Sequence, residues 1–433
     1  MTDLHSEARR RILKRDFEDL TGVDRLSALE ELTLRDLYIR AKAEAWSGPH
    51  HSSEQHSDRA PQSEVVPQVL PAKHCEEKER ADPRLSSVIE RMTAIKHVEG
   101  IEEKTLRQYR AFAALFEMLT GIDDITKVTQ TVAKSFRADL NWSPKSWGKS
   151  PKDIHMTRNE VQAKSDALPP EKIGLSVGTI NRHLEHLNQI ADWARDEGLP
   201  VDTHLKPAKL RKKDTVRARD KRDPFTVEQL RTMFQQPVWT GSRSEWHQTQ
   251  PGDHIYRNGI YWCPLIGAYT GARREEIAGL APDDIVQVEG IWCFNIEDSE
   301  LRRIKNLSSR RVVPIHPHLL EMGFLTHVET ARKAGQNSLF PDLYEAGNNS
   351  FGRKLGRRMR AIIDNCFGEN GAKLSFHSLR HYAQNELANA GVESRIVRDI
   401  VGHEGVDVHD KVYTKKAPVA ALSNAIAQLP RVT

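Results

Sequence analysis

The sequence predicts a mainly α-helical protein with one small antiparallel sheet, an α+β architecture. Two stretches with helical apolar spacing come first, at residues 105–119 and 175–198. A strongly basic segment follows at 206–222, and the chain beyond it contains strand-like alternation around residues 285–298. Because apolar periods near 3.6 indicate helices and periods of two indicate strands, we expect a helical first part and a mixed second part.

The composition is typical of a globular chain with several domains. The 433 residues are 38% hydrophobic and 29% charged, which leaves room for roughly three domains of ~150 residues and excludes a collagen-like or wholly disordered protein. No apolar run reaches the ~18 residues of a membrane helix, and the N-terminus lacks the apolar core of a secretory signal. We therefore expect a cytoplasmic protein without a membrane segment.

Cysteine and histidine spacing excludes two classes of site. Four scattered cysteines are too few for a disulfide framework in 433 residues. The sequence has no CxxC pair and no HExxH motif, so none of the 19 histidines has the spacing of a common zinc site. The sequence predicts neither a metal nor any other cofactor.

The segment before the basic residues should form a small helical domain, residues 84–205. The first helix, within 105–119, has one apolar stripe, formed by Leu106, Tyr109, Phe112, Ala113 and Phe116. The second, within 175–198, repeats the spacing and ends at Gly198, a typical C-terminal signal. Residues 141–174 between them are rich in Pro, Lys and Ser, which favours a long irregular loop.

The first 83 residues precede this domain and have no assigned role. Residues 1–46 have helical spacing of Leu and Ile, and residues 47–83 have the Ser, Gln, Pro and Glu content of a flexible tether.

The segment Lys206–Arg222 contains nine basic and two acidic residues, the most basic stretch of the chain. It contains Pro207 and is followed by Pro224, and it has no apolar period, so we interpret 206–224 as an extended linker. Two further basic clusters occur downstream, formed by Arg302, Arg303, Lys305, Arg310 and Arg311, and by Arg353, Lys354, Arg357, Arg358 and Arg360. Three separate basic patches suggest a protein that wraps a polyanion.

Residues 225–433 should form the second main domain. Helices are expected at Thr226–Phe234, with Thr226 as N-cap, at about 260–270 and at about 274–280. The stretch IVQVEGIWCFNIED predicts two antiparallel strands joined by a tight turn, and RRVVPIH predicts a third strand. Lys305 lies in the connection between the second and third strands.

Five short motifs follow one another in this domain: TGARREEI, KNLSSRRVVPI, HSLR, GHEG and VYTK. They contribute six residues with reactive or charged side chains, listed in chain order as Arg273, Lys305, His377, Arg380, His403 and Tyr413. Each motif alone is weak evidence. A lone arginine is more often an ion-pair partner, a histidine after a glycine can cap a helix, and a tyrosine can simply pack in a core.

Taken together, the six residues suit attack on a phosphodiester. Guanidinium groups match the geometry of phosphoryl oxygens and stay ionised, which suits Arg273 and Arg380 for stabilising the transition state. The ammonium of Lys305 could protonate the leaving oxygen, and the two histidines could donate hydrogen bonds or exchange protons. A phenol such as Tyr413 can form a covalent intermediate when nearby cations or a base activate it.

In type and chain order, this set resembles the catalytic domain of the tyrosine recombinases, also called the phage integrase family. The resemblance covers about residues 225–429, and the helical region 84–205 resembles the core DNA-binding domain of that family. It implies that Arg273, Lys305, His377, Arg380 and His403 activate and stabilise the phosphate while Tyr413 attacks, and that Glu276 supports the site. His403 and Tyr413 are ten residues apart, where the family pattern has nine.

The resemblance also implies an activity. A tyrosine recombinase cuts DNA through a 3′-phosphotyrosyl intermediate and needs neither ATP nor a metal ion, and integration or excision of a mobile element is the expected role here. Three alternatives remain open at this stage. They are a chromosome or plasmid dimer resolvase of the same family, a type IB topoisomerase and a DNA-binding regulator without catalysis.

Double-stranded DNA is the expected partner, held between the two domains. Phosphate contacts are expected from the basic segment through Lys206, Lys209, Arg211, Lys212, Lys213, Arg217 and Arg219. We also expect a tetramer on DNA, in which the apolar tail helix Pro418–Leu429 docks on a neighbouring protomer, the alternative being that the tail packs on its own domain. Accessory DNA-bending proteins are a further class of partner, and the expected location is the nucleoid.

Overall fold

The computed structural model describes residues 81–304, 309–348, 350–403 and 416–433. The chain divides into two compact units between Thr215 and Val216. The helical prediction for 1–46 and residues 47–80 of the tether predicted for 47–83 lie outside the described residues. Mostly helical units with one small sheet confirm the predicted fold class.

The first unit is built from α-helices packed around an aromatic centre. Its helices are α1 (Leu85–Val98), α2 (Glu103–Thr120), α3 (Gln130–Asp139), α4 (Arg158–Asp166) and α5 (Val177–Asp196). The predicted stripe on α2 is confirmed, since all five of its members are buried. Phe112 and Phe116 meet Phe136 of α3 with ring centroids 5.9 and 4.8 Å apart, and the apolar face of α5 completes the core.

The loop predicted for residues 141–174 is wrong in part, because this stretch contains α4 and two short 3₁₀ turns, Pro151–His155 and Pro170–Lys172. The start of α4 is determined by Thr157 and Glu160, whose side chains each accept a hydrogen bond from the backbone N–H of the other residue. Only Val161 and Ser165 of α4 are buried. A helix with so small an apolar face has no periodic signal to detect.

The basic segment differs over its first half from the extended linker that we predicted. Residues Pro207–Leu210 form a 3₁₀ turn, and Pro207 and Leu210 are buried in the first unit. The backbone N–H of Lys206 donates to Gln130 at 2.8 Å, and that of Lys212 donates to Asn181 at 2.9 Å. This half of the segment is therefore fastened to the helical unit, and its basic side chains are held on that unit's surface.

The second unit packs helices around one central helix and against a small sheet. Its helices are α6 (Val227–Phe234), α7 (Pro237–Thr240), α8 (Gly259–Thr270), α9 (Arg274–Ala278), α10 (Pro317–Glu321), α11 (Phe324–Lys333), α12 (Gly352–Phe367), α13 (Phe376–Asn389), α14 (Ser394–Val401) and α15 (Val419–Ile426). Every residue of α8 is buried, as expected for a helix that is hydrophobic on all sides. Predicted helices α6, α8 and α9 are confirmed, including the Thr226 cap of α6.

The sheet has the predicted order and turn. Strands β1 (Ile285–Val288) and β2 (Ile291–Ile296) pair antiparallel with Val288 opposite Ile291, so residues 289 and 290 form a two-residue turn. Strand β3 (Arg311–Pro314) pairs antiparallel with β2, placing Phe294 opposite Val313. The connection from β2 to β3 contains Lys305, which lies outside the described residues.

The C-terminal tail packs on its own domain in this single chain, which is the alternative that accompanied the prediction of docking on a neighbouring protomer. Leu422 and Ile426 of α15, followed by Leu429 and Val432, are buried in the core of the second unit. Polar contacts reinforce this packing, because the backbone N–H of Val432 donates to the hydroxyl of Tyr269 at 3.2 Å. The apolar face that seemed to need a partner is covered by β3, β2 and α14.

Within the described parts of the chain, no helix has the length and hydrophobicity that crossing a bilayer requires.

Candidate active site

Arg273 is placed by a tight junction between α8 and α9. Helix α8 ends at Gly271, whose φ is 60° and where a Cβ would lie 2.9 Å from a methyl group of Val401. Glycine is therefore required at position 271, both because of the positive φ and because a larger residue would clash with Val401. Arg273 directly precedes α9, and a quarter of its side-chain surface remains exposed. The backbone of Arg273 is thus held by the junction between the two helices, while part of its side chain remains accessible to solvent.

Glu276 holds Arg273 and Arg311 together inside the fold. It accepts from the backbone N–H of Arg273 at 2.9 Å, from Arg273 Nη1 at 2.6 Å and from Arg311 Nη2 at 2.8 Å. Burial opposes ionisation of Glu276, but the charge and hydrogen bond of Arg311, with those from Arg273, outweigh it and lower the pKa of this carboxyl to about 2. Glu276 is therefore a buried carboxylate that orients two arginines.

Arg380 comes from α13 and is almost completely buried, with 2% of its surface exposed. Its Nη1 donates to the carbonyl of Gly271 at 2.8 Å and also to that of Val401. Burial, followed by the nearby charges of Arg273 and Arg311, lowers the pKa of Arg380 to about 9, so the group stays charged at neutral pH. No described carboxylate forms an ion pair with it.

The two guanidinium groups converge on one atom. Arg273 Nη2 lies 3.3 Å and Arg380 Nη2 3.4 Å from the carbonyl oxygen of Gly402. Both cations are thus within hydrogen-bond reach of a single acceptor, although 107 positions of sequence separate them. In the part of the chain that the structure describes, Glu276 is the one carboxylate that pairs with Arg273 and Arg311, and Arg380 has none. Such an excess of buried positive charge favours binding of an anion.

His377 lies one turn before Arg380 on α13, as the HSLR spacing predicts. Its ring packs edge-on against His381, with centroids 4.9 Å apart. Burial, then the charges of His381, Arg222 and Arg380, lowers the pKa of His377 to about 4. The ring is therefore neutral at pH 7 and carries one proton that it can donate.

His403 follows the shared carbonyl directly. Helix α14 ends at Gly402 with φ 74°, where a Cβ would meet Arg311 Nη1 at 2.7 Å. The Nδ1 atom of His403 lies 3.1 Å from the carboxamide nitrogen of Gln384 on α13. Burial, then the charges of Arg380 and Arg273, lowers the pKa of His403 to about 4. The structure thus brings Arg273, Glu276, His377, Arg380 and His403 together.

Lys305 and Tyr413 lie outside the described residues, but the chain on either side of them leads to this site. Ser309, four residues after Lys305, accepts from Arg273 Nη1 at 2.7 Å. The segment with Tyr413 starts after His403 and ends where the N–H of Ala417 donates to Asp399 of α14 at 2.8 Å. The roles of Lys305 and Tyr413 stay predictions.

Tyr382, two residues after Arg380 on α13, is fully buried. Burial first, with help from the charge of Glu386, raises the pKa of its hydroxyl. Its hydroxyl finds no hydrogen-bond partner among the described residues. A phenol in this environment is a poor nucleophile, so Tyr382 contributes to the core and not to catalysis.

Arg311 is the site residue that the sequence interpretation missed, because we assigned it to a basic surface patch. It is 4% exposed and donates to the carbonyls of Ile400 and Ser309 at 2.8 Å each, besides its bond to Glu276. Its partners are remote in sequence, so no local pattern identifies it. It ties β3 to the end of α14, which carries the shared carbonyl.

Part of each downstream basic cluster is structural, because individual arginines pair with acidic side chains of the fold. Arg302 is 4% exposed and binds both carboxylate oxygens of Asp284, at 2.5 and 2.9 Å. In the second cluster, Arg358 pairs with Asp342 at 3.2 Å. Arginines that neutralise buried carboxylates are not available to an external anion.

The basic segment is more uniformly exposed than these two clusters, in which Arg303, Arg310, Arg353 and Arg357 also face solvent. Six of the seven predicted phosphate ligands are exposed, namely Lys206, Lys209, Arg211, Lys212, Lys213 and Arg217. The side chain of Arg219 lies outside the described part of the chain. Arg211 and Arg217 have exposed acidic neighbours, at 3.1 and 2.7 Å, and exposed pairs of this kind are weak.

Among the described residues, no group of three His, Cys, Asp or Glu side chains has the arrangement of a metal site.

Residues 263–419 match the model of the phage integrase family. No curated protein matches the chain. Among solved structures, the chain is similar to the Tn1549 transposon integrase in complex with a circular intermediate DNA, with 14% identity over 77% of this chain and 96% of that chain and a TM-score of 0.49.

Two further solved structures are similar over most of their length. A lambda integrase tetramer bound to a Holliday junction is 15% identical, covering 88% of this chain and 90% of that chain, with a TM-score of 0.47. The integrase from mycobacterium phage Brujita is 13% identical, covering 79% of this chain and 92% of that chain, with a TM-score of 0.32.

Proposed function

Residues 263–419 are a phage integrase family domain, and from this premise we propose that the chain is a site-specific DNA recombinase of the tyrosine type. It cuts DNA strands by forming a 3′-phosphotyrosyl link and rejoins them to a new partner strand. Its proposed role is to integrate or excise a mobile element. The family match favours a recombinase over a type IB topoisomerase or a regulator without catalysis.

One observation carries the proposal beyond the family match, which is the convergence of Arg273 and Arg380 on the carbonyl oxygen of Gly402. Two cations that share one acceptor can also share one phosphate. A scissile phosphate adjacent to that carbonyl would receive charge-assisted hydrogen bonds from both guanidinium groups. Its negative charge would also relieve the repulsion between the two arginines.

The proposed reaction is an in-line displacement at phosphorus. The Tyr413 oxygen forms a bond to phosphorus as the bond to the 5′ oxygen breaks, the phenol proton passes to solvent water, and the proton of Lys305 passes to that leaving oxygen. Arg273 and Arg380 stabilise the extra charge on the non-bridging oxygens. Attack by a 5′-hydroxyl of another strand reverses the step and releases the tyrosine, so no external energy source is required.

The two histidines complete this scheme as neutral donors. Because burial, and after it the surrounding positive charges, hold the pKa of His377 and His403 at about 4, each ring keeps one N–H at neutral pH. A neutral donor adds a hydrogen bond to the phosphate without a further charge to desolvate. Glu276 acts through Arg273 and does not contact the phosphate in this scheme.

We propose that the exposed cations of the basic segment bind DNA phosphates. Each neutralised phosphate contributes about -0.9 to the slope of log affinity against log salt, so six contacts would give a slope of about -5. Since strand exchange between two duplexes cuts four strands, four protomers must meet on DNA. The tail helix is buried in its own domain in the single chain, and its docking on a neighbouring protomer stays a proposal for the tetramer on DNA.

We also propose that accessory DNA-bending proteins are partners in the reaction and that the protein acts at the nucleoid in the cytoplasm.

The decisive experiment traps the covalent intermediate. Nicked duplexes from the DNA that flanks the gene would lose the short 5′-hydroxyl strand after cleavage, which leaves the protein attached to the 3′ phosphate. We expect an adduct that resists denaturant with the natural chain and with Tyr382→Phe, the matched control, but none with Tyr413→Phe. Absence of an adduct with every flanking sequence, or an adduct with Tyr413→Phe, would contradict the proposal.

A further inference from the structure

Gln384 is a polar side chain at the site that neither the motifs nor the mechanism uses. We propose that Gln384 is a positioning residue for strand cleavage, which holds His403 in the tautomer whose Nε2–H donates to the scissile phosphate. This inference rests on the proposed function of the site. It adds to that function a residue that contacts neither DNA nor the reacting atoms.

The geometry assigns the contact. Gln384 lies one turn after Arg380 on α13, on the side of the helix that faces the end of α14. Its carboxamide nitrogen is 3.1 Å from Nδ1 of His403, a normal hydrogen-bond distance. His403 follows Gly402, whose carbonyl is the shared acceptor of Arg273 and Arg380. Gln384 therefore fixes the ring at the point where the two arginines meet.

The chemistry of the two side chains determines where the proton lies. A carboxamide nitrogen can only donate, so Nδ1 of His403 accepts and the single proton of the neutral ring resides on Nε2. In the other tautomer, Nε2 would present a lone pair to an anionic phosphate oxygen, and the two acceptors would repel each other. Selection of the tautomer is thus a requirement for His403 to serve as a donor.

The charges around His403 make this selection matter at neutral pH. Arg380 and His381 face the ring from α13, Arg273 from the start of α9 and Arg311 from β3. These groups disfavour a doubly protonated, cationic ring. A cationic ring would donate from both nitrogens whatever its neighbour, whereas a neutral ring donates from one nitrogen only. The hydrogen-bond partner of Nδ1 therefore determines which of the two ring nitrogens carries the proton.

The test compares cleavage by three single variants and one double variant on saturating nicked duplex DNA from the gene's flanks. Gln384→Ala removes the contact and should slow adduct formation by about tenfold, the worth of one hydrogen bond, with little change in DNA affinity. Asn385→Ala is the matched control, because the neighbouring Asn385 is exposed on the same helix, and it should leave the rate unchanged. In the His403→Ala background, the additional change Gln384→Ala should have almost no effect on the rate.

Gln384→Glu should change the pH dependence of the cleavage rate, which would stay unchanged if Gln384 had only a structural role. A carboxylate at this position accepts from Nδ1–H, so Nε2 carries a proton only when the ring is doubly protonated. The cleavage rate of this variant should fall as pH rises through the pKa of His403, while the natural chain shows no such fall. Long-range ¹H–¹⁵N spectra of the full chain with labelled histidine, assigned with His403→Ala, should detect Nε2–H in the natural chain.

The outcomes separate this inference from the proposed function. No adduct with the natural chain would contradict the proposed function itself. A normal adduct with the natural chain, together with an equal rate for Gln384→Ala, additive losses in the His403→Ala background, or an Nδ1–H signal for His403, would overturn the inference and leave the recombinase assignment standing.

Discussion

Replacement of Glu276 by glutamine is expected to destabilise the second unit by about 3 kcal/mol at neutral pH. Glu276 is 3% exposed and accepts three hydrogen bonds from two arginines. Its pKa of about 2 compares with 4.5 for an ordinary glutamate, and each tenfold change in acidity is worth about 1.4 kcal/mol. A cost of roughly 3–5 kcal/mol is also usual when one partner of a buried ion pair is removed.

The pH dependence follows from the direction of the shift. Because the folded state depresses the pKa of Glu276, its contribution is fully present above about pH 5 and is lost as pH falls towards 2. The stability gap between the natural chain and Glu276→Gln should therefore narrow to about half near pH 3. Equilibrium urea unfolding, followed by tryptophan fluorescence at several pH values, measures this gap.

The neighbouring residue provides a matched control for this measurement. Glu275→Gln is the same substitution one position earlier, where the side chain is 47% exposed, and it should cost less than about 1 kcal/mol. A cost below 1 kcal/mol for Glu276→Gln, or a gap that does not change with pH, would refute the view that this carboxylate is ionised and holds two arginines in place.

Three further predictions concern the site, the DNA contacts and the tail. Arg380→Lys should slow adduct formation by about a hundredfold at saturating DNA, because an ammonium cannot reproduce the planar set of donors, and a near-normal rate would exclude contact with the phosphate. Lys212→Ala with Lys213→Ala should reduce the salt slope of DNA binding by about 2, measured by fluorescence anisotropy from low to moderate salt, and an unchanged slope would exclude these phosphate contacts. Leu429→Ala should cost about 2–5 kcal/mol in urea unfolding, independently of protein concentration, whereas a concentration-dependent loss would indicate that the tail packs between protomers.

The sequence identified the elements that carry Arg273, His377 and Arg380, because strong local signals flank each of them. A glycine ends α8 before Arg273, and the three-residue spacing in HSLR places His377 and Arg380 on one face of α13. Such signals act within a few residues of the side chain. They locate a functional group on its helix without any knowledge of the tertiary contacts.

The contacts that assemble the site were not predictable in the same way. Arg311 and Gln384 act through partners 35 and 19 residues away, and the sequence offers no local pattern that distinguishes a buried arginine from a surface one. For the same reason, Arg302 and Arg358 were assigned to surface patches. The tail was predicted to need a neighbour because its apolar face is visible in the sequence, whereas the complementary surface on β3 and α14 is not.

The central claim is that Arg273, Arg380 and Tyr413 act on one phosphorus atom. A crystal structure of the full chain with a nicked flanking duplex and orthovanadate, a mimic of the pentavalent transition state, tests it most directly. We predict a single vanadium centre that bonds to the Tyr413 oxygen, with both guanidinium groups donating to its equatorial oxygens. Contacts from Arg273 and Arg380 to different phosphates, or a vanadium centre remote from Tyr413, would contradict the account.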